Sequence, residues 1–260
     1  MKRLLFIIIA IILAAPPSLA WAGEADHALF YAANQAYKEG RYQEAADQYR
    51  KLIAKAPVGG SVYFNLGNAY LKMDQVGLAI LNYEKAKILL PRDPDLNFNL
   101  GFAIDKRLDQ VEPSNGAFLS GLARHFTGME IFWVIAVLNL LLCFFLILRL
   151  WKPAEWNFYV VMAVGLIWLT AVFFGITKWY DASQDHRAVV VADKIDVRAG
   201  PGDKDTLLFQ LHDGSPITLE RQEGQWSLVR FSQEKRGWTP NQGIAAIRPL
   251  RQQTGKNTEA

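Results

Sequence analysis

The stretch NLGNAYLK, from Asn65 to Lys72, returns as NLGFAIDK, from Asn99 to Lys106. Both stretches open with Asn-Leu-Gly and close with a lysine. The period between them is about 34 residues, within the range of roughly 20 to 50 residues that is typical of structural units stacked side by side. The two stretches therefore predict a repeat protein, and the residues around them indicate how far the repeat extends.

The same period also links small, aromatic and proline positions on both sides of these stretches. Leu66, Gly67 and Tyr70 share one face of a predicted helix, and a residue as small as Gly67 lets a second helix approach closely. In the middle unit the period runs through Tyr63, Leu66, Gly67, Tyr70, Ala79, Tyr83, Ala86 and Pro91. A single unit of this kind cannot bury its apolar face, so neighbouring units must stack.

This pattern resembles the tetratricopeptide repeat, which implies two antiparallel helices in each unit. The resemblance covers two full repeats, at residues 26–59 and 60–93, and a lone third helix over residues 94–111. We expect the third helix to cap the stack. The three parts together predict an all-α domain over residues 23–112.

Tetratricopeptide stacks form a concave groove, and the resemblance implies that it binds an extended or helical peptide. The residues expected to face this groove are Phe30, Asn34, Tyr37, Phe64, Asn65, Asn68, Leu71, Phe98, Asn99, Phe102 and Lys106. Some such domains hold a C-terminal carboxylate with asparagines and basic residues. Asn34 and Asn65 match the asparagine positions, but Phe30, Asp95 and Asn99 replace the basic ones, so that clamp looks broken. Alternatively, Asn65 and Asn99 only hydrogen-bond to the backbone between helices.

The N-terminus has the features of a secretory signal peptide over residues 1–22. Lys2 and Arg3 precede an apolar run, and the small residues around Trp21 suit cleavage after Ala22. The run is too short for an ordinary membrane span. The alternative is an uncleaved anchor, and either interpretation exports the residues that follow.

Two longer apolar runs predict membrane spans over residues 130–151 and 156–179. Their charge-free parts, at positions 131–148 and 156–177, are close to the roughly 20 apolar residues that a spanning helix needs. The short connection through Pro153 predicts a tight antiparallel hairpin. Arg149 and Lys152 at this reversal favour its cytoplasmic side, which places both flanking domains outside the cytoplasm of a bacterial inner membrane, in the periplasm of a cell with two membranes.

Between the repeats and the first span, Phe118, Leu119, Leu122 and Phe126 follow helical spacing. This pattern predicts an amphipathic helix over residues 117–128 that lies in the membrane interface. A simple extension of the first membrane helix is the alternative.

From His186 onward the pattern changes to the alternation typical of short strands, with turn signals between them. The segments IDVRAGPG, LHDGSPITLE, GQWSLVRF and RGWTPNQGIAAI resemble the bacterial SH3-like domain, which implies a small all-β barrel over residues 186–250. Trp226 and Trp238 belong either to its core or to a binding surface. Residues 251–260 are polar and predicted to be disordered.

Composition and motifs argue against several classes of function. The net charge is +3 without a clustered basic region, so nucleic acid is not an expected partner. Cys143 is the sole cysteine and the four histidines are scattered, so no metal site is expected. Catalytic motifs and glycine-rich nucleotide loops are lacking. We therefore expect no cofactor, no catalytic residues and no enzyme activity.

The order of segments is a signal, a helical repeat, a membrane hairpin and an SH3-like domain. This order resembles the BatE-type proteins of the Bat aerotolerance group, which are encoded beside membrane proteins with von Willebrand factor A domains. The resemblance implies a scaffold that assembles an envelope complex with such proteins. The alternative is a tether or sensor that binds peptidoglycan through the SH3-like domain.

Overall fold

A computed structural model of the protein describes residues 24–55, 57–110 and 125–248. The described residues form a helical N-terminal region, two long apolar helices and a C-terminal antiparallel sheet. This confirms the predicted multidomain layout. The predicted signal peptide and C-terminal tail, and most of the predicted interfacial helix, lie outside the described residues.

The N-terminal region consists of consecutive helices that pack against one another in chain order. They are α1 (Glu24–Lys38), α2 (Tyr42–Lys55), α3 (Gly60–Lys72), α4 (Val76–Leu89) and α5 (Pro94–Asp105). Tyr49 of α2 and Tyr83 of α4 are fully buried between helices. Gly67 allows α3 and α4 to pack closely, because a Cβ atom at this position would lie 2.6 Å from the ring of Tyr83.

Local sequence explains where these helices begin and end. Gly40 and Asp74 stand at equivalent turns with φ angles of 78° and 59°, so both turns use the left-handed region that favours glycine. The aspartate adopts it as well, since short polar side chains tolerate this conformation. Asp93 caps α5 by accepting the Leu96 N–H at 2.9 Å, and Pro94 occupies its first turn.

Gly67→Leu should destabilise the repeats, because a branched side chain cannot fit against Tyr83. Overpacking of this kind costs about 1–3 kcal/mol or more. The measurement is thermal unfolding of the full chain in detergent. Gly59→Leu is the control, since a Cβ at Gly59 would meet only Ser61 Oγ, at 3.9 Å. Equal melting of the two variants would contradict the helix crossing described here.

The two apolar helices are α6 (Gly128–Trp151) and α7 (Glu155–Ser183), which pack against each other. Each is long and apolar enough to cross a membrane, with a mean hydropathy of 2.9 and 2.3 in its most apolar window. None of the residues in these windows is buried inside the protein, as expected for lipid-facing helices. Thr127 and Glu130 cap the start of α6 with a reciprocal pair of hydrogen bonds.

The C-terminal strands form one antiparallel sheet in the order β3-β2-β6-β5-β4-β1-β7. The strands are β1 (Arg187–Val190), β2 (Lys194–Arg198), β3 (Leu207–His212), β4 (Pro216–Glu223), β5 (Trp226–Arg230), β6 (Arg236–Pro240) and β7 (Ile244–Ala246). Among the described residues, β3 and β7 are edge strands that do not pair with each other. The sheet is therefore not closed by hydrogen bonds into the barrel that the sequence predicted.

The two tryptophans singled out from the sequence lie on neighbouring strands of this sheet. Trp238 of β6 is 7% exposed, while Trp226 of β5 is half-buried. The guanidinium carbon of Arg221 lies 5.1 Å from the ring centroid of Trp238, so a cation covers part of that ring.

The sheet packs directly on the helical repeats. The loop after β3 reaches the first turn of α4, where the Gly77 N–H donates to Asp213 at 2.9 Å. From the repeat side, Asp109 accepts hydrogen bonds from the His212 N–H at 2.7 Å and the Ser215 hydroxyl at 2.6 Å. Val189 of β1 is buried in the hydrophobic core of the repeats.

A group of charged side chains joins the repeats, the end of α7 and the sheet. Arg187 of β1 contacts Glu84 of α4 and Asp185, just beyond α7, both at 2.9 Å. Arg248 also lies 3.4 Å from the carboxylate of Asp185. The helical repeats and the sheet are thereby held together at the C-terminal end of the second apolar helix.

Asp109→Ala should loosen the contact between the repeats and the sheet. Hydrogen bonds to a charged group contribute about 1.5–3 kcal/mol, less at this partly exposed position. Hydrogen exchange measures this effect. The amides of α4 should exchange more slowly in the wild type than in the variant. Asp203→Ala, at an exposed turn, is the control and should change nothing.

The contribution of Asp109 should also depend on pH. Burial acts to raise the pKa of Asp109, but hydrogen bonds from Ser215 and His212 outweigh it and hold that pKa below the ordinary value of 3.8. A carboxyl group with a lowered pKa stabilises the fold above its ordinary pKa, and this stability is lost as the pH falls through the lowered value. The difference in exchange between wild type and Asp109→Ala should therefore shrink as the pH falls below about 4.

Candidate functional site

An open cavity of about 680 Å³ lies on the concave side of the first repeats. Its walls come from α1, α2 and α3, and its lining residues are Tyr31, Ala32, Asn34, Gln35, Tyr37, Lys38, Tyr49, Asn65 and Asn68. The lining combines aromatic rings, amide groups and one lysine. Such a surface can contact both the side chains and the peptide groups of a bound segment.

Asn34 is the polar centre of this cavity. Its side-chain oxygen accepts the Tyr49 hydroxyl at 2.6 Å and the Asn65 amide at 3.0 Å. The three residues come from three successive helices, so these hydrogen bonds join one repeat to the next. Because Tyr49 is fully buried, its hydroxyl needs this partner.

The same arrangement recurs one period later. The side-chain oxygen of Asn68 accepts the Tyr83 hydroxyl at 2.7 Å and the Asn99 amide at 2.8 Å. Asn65 and Asn99 therefore donate to side chains of the preceding repeat. The alternative drawn from the sequence, in which they bond only to backbone, is wrong in this respect.

The buried tyrosines stay neutral over the whole physiological range. Burial raises the pKa of Tyr49 to about 12, against a smaller opposing effect of the hydrogen bond with Asn65. Burial also raises the pKa of Tyr83. Both hydroxyls therefore keep their protons and donate to the side-chain oxygens of Asn34 and Asn68.

Each of the two buried tyrosines also contacts a phenylalanine of the preceding helix. The ring centroids of Phe30 and Tyr49 are 6.2 Å apart, and those of Phe64 and Tyr83 are 6.0 Å apart. Phe30 and Phe64 are thus packed into the repeats and do not line the cavity. They support the tyrosines that hold the asparagines.

The residues predicted on α5 lie at the far end of the concave side. Phe98 is 75% exposed and Phe102 is 50% exposed. The Lys106 ammonium lies 3.0 Å from Asp74 and 5.6 Å from the ring centroid of Phe102. Of the predicted groove residues, the cavity brings together Asn34, Tyr37, Asn65 and Asn68. Its lining does not include Leu71, Phe98, Asn99, Phe102 or Lys106.

The sequence did not single out Tyr31, Gln35 and Lys38, which line the cavity. A signal for two of them was present in the repeat, because Tyr31 stands one period before Asn65 and Lys38 stands one period before Lys72. Gln35 carries no such signal. Among the described residues, no three His, Cys, Asp or Glu side chains are grouped so that they could hold a metal ion.

Comparison with known proteins supports the helical repeat. Tetratricopeptide repeat protein 28 of Homo sapiens is 33% identical over 91 residues, which is 35% of this chain and 4% of that protein. The chain thus spans only a small part of the length of this relative. No family model matches the chain. The helical repeats fit the tetratricopeptide class, in agreement with the period of the sequence.

Asn34→Ala should destabilise the repeats more than Tyr49→Phe. The alanine leaves the buried Tyr49 hydroxyl without its acceptor, which costs about 1–3 kcal/mol, whereas the phenylalanine removes the donor and leaves Asn34 bonded to Asn65. Thermal unfolding of the full chain measures both variants. The reverse order would contradict the role of Asn34 as the shared acceptor.

Proposed function

We propose that the protein is a non-catalytic scaffold, anchored in a membrane, whose repeats bind a segment of a partner protein. The observation that carries this proposal is the open cavity centred on Asn34. It is large enough for several side chains of a bound peptide. Its polar groups come from a rigid row of hydrogen bonds, so a partner would meet a preorganised surface.

The two apolar helices supply the anchor in this proposal. A hairpin of α6 and α7 would hold the repeats and the sheet on the same side of the membrane, because the chain crosses it twice between them. Tethering raises the effective concentration of two binding modules for a shared partner. The predicted signal peptide and the basic residues at the hairpin reversal support the exported side, in a bacterial inner membrane.

The C-terminal sheet is the second module of the proposed scaffold. Its sequence motifs resemble the bacterial SH3-like domain, and strands such as β2 and β5 alternate buried and more exposed residues. Leu207 and Leu208 of the edge strand β3 are 46% and 50% exposed, which leaves apolar surface for a partner. The order of segments favours a complex of the Bat type, with membrane proteins that carry von Willebrand factor A domains as partners.

A photo-crosslinking amino acid at Tyr31 or Gln35 should capture a partner protein in intact membranes. Both positions are exposed and line the cavity. Gln43, which is exposed on α2 and does not line the cavity, is the matched control. Mass spectrometry should identify the same membrane protein from both cavity positions and not from Gln43. Equal products from all three positions would refute binding at the cavity.

A peptidoglycan tether is the second candidate function. It is favoured by the resemblance of the sheet's sequence motifs to the bacterial SH3-like domain. The full chain is the right sample, because Val189 and Ile247 of the sheet region pack into the core of the repeats. In detergent, it should then sediment with peptidoglycan sacculi, and a Trp226→Ala variant should sediment less. Capture at Tyr31 without sedimentation supports the scaffold, and sedimentation without capture supports the tether.

A further inference from the structure

The loop after β3 places a carboxyl group between the sheet and the repeats. One oxygen of Asp213 accepts the Gly77 N–H at 2.9 Å, in the first turn of α4. The other oxygen, Oδ1, is buried and has no hydrogen-bond partner among the described residues. Burying an ionised oxygen without a donor is costly. Half of this carboxyl group is therefore unsatisfied at the contact between the two domains.

The space around Oδ1 is closed on the side of α4. A Cβ atom at Gly77 would overlap both Oδ1 of Asp213 and the carbonyl oxygen of Val190, so these two oxygens are close neighbours. The Val190 carbonyl already accepts the Gly214 N–H at 2.9 Å. Two acceptors without a proton between them repel each other, whereas a protonated carboxyl group can donate. The geometry of the contact thus favours the protonated form of Asp213.

The charged groups around Asp213 act in the same direction or do not reach it. On the sheet, the exposed Asp193 carries a like charge that repels the ionised form. On the repeats, the side-chain carbons of Arg107 lie against Gly214, but its guanidinium donates to the Ile104 carbonyl at 3.0 Å. Residues 76–80, which begin α4, carry no charge.

These surroundings raise the pKa of Asp213 above its ordinary value of 3.8. Burial is the largest cause, the hydrogen bond from Gly77 opposes it, and the charge of Asp193 adds to it. A carboxyl group whose pKa is raised in the docked state binds a proton more tightly there than when it is solvated. Its contribution to docking is therefore fully present in acid and is lost as the pH rises through the raised value.

Two further titratable groups lie at the same contact, and they belong to one pair. His212 Nδ1 is 3.3 Å from the Asp109 carboxylate. The pKa of Asp109 is lowered, so its contribution to docking is lost only as the pH falls below the ordinary value of 3.8. The gain from Asp213 therefore begins at a higher pH than the loss from Asp109. Protonation of His212 is the competing source of a response to acid, and the experiment must separate it from Asp213.

We propose that Asp213 takes up a proton when the sheet docks on the repeats, so that mild acid strengthens the docking and neutral pH weakens it. This coupling goes beyond the proposed scaffold, since it concerns how firmly the two modules are held and not what they bind. A protonated Asp213 keeps its bond from Gly77 and no longer opposes the neighbouring acceptor. The separation of the two modules is then most rigid in mild acid.

Asp213→Asn tests the proposal, because asparagine copies the neutral acid. Its oxygen can accept the Gly77 N–H, and its amide N–H can donate where Oδ1 lies. The measurement is hydrogen exchange of the amides of residues 76–80 in the full chain in detergent, as protection factors at pH 5 and pH 7. In the wild type, protection should rise from pH 7 to pH 5. In Asp213→Asn it should be higher than in the wild type at pH 7 and should no longer depend on pH.

Two results would overturn the proposal. Lower protection in Asp213→Asn than in the wild type at pH 7 would show that the ionised carboxylate is the form that docks. A response to pH that survives in Asp213→Asn would assign the response to His212 and Asp109. Asp213→Ala, which removes the acceptor for the Gly77 N–H, should lower protection at both pH values and shows that these amides report the docking.

A matched pair of variants checks the role of the neighbouring charge. Asp193→Asn removes the like charge, so it should raise protection at pH 7, but less than Asp213→Asn does, because burial is the larger cause. Asp203→Asn, at an exposed turn of the same sheet, is the control for the loss of one negative charge. Equal effects of Asp193→Asn and Asp203→Asn would show that net charge alone controls the docking, and would also overturn the proposal.

Discussion

The close approach of Gly67 to Tyr83 is the constraint on which the rest of the repeat depends. A Cβ atom at Gly67 would lie 2.6 Å from the tyrosine ring, so the glycine lets Tyr83 lie against α3, where its hydroxyl donates to Asn68. Asn68 in turn receives the amide of Asn99 from α5. One steric condition thus sets the spacing of two helices, the hydrogen bond between them and the attachment of the next helix.

The local origin of these contacts explains how much of the fold could be predicted from the sequence. Gly67 and Tyr83 belong to a repeating pattern of small and aromatic residues, so the helices and their pairing follow from local pattern and period. The apolar helices follow from length and composition alone. The closure of the sheet does not, because pairing of β3 with β7 depends on sheet geometry and twist rather than on any local motif.

The site was predictable only in part, for a related reason. The period places Asn34 and Asn65 on the concave side but does not say which atoms they bond, since that depends on the distance between helices. The contact of Asp109 with His212 and Ser215 left no trace in the sequence, because the partners are far apart along the chain and belong to no motif. Charged residues in loops are usually solvated. Asp109 instead forms hydrogen bonds to the sheet, because the sheet packs on the repeats.

The packing of the sheet on the repeats bears directly on the proposed scaffold function. Two binding modules on flexible linkers gain only effective concentration from their tether. Here Arg187 joins Glu84 of α4 to Asp185 at the end of α7, so the repeats, the sheet and the second apolar helix share one group of charges. A partner that binds both the cavity and the sheet would therefore meet them at a fixed separation. It would lose less orientational freedom on binding than it would with independent modules.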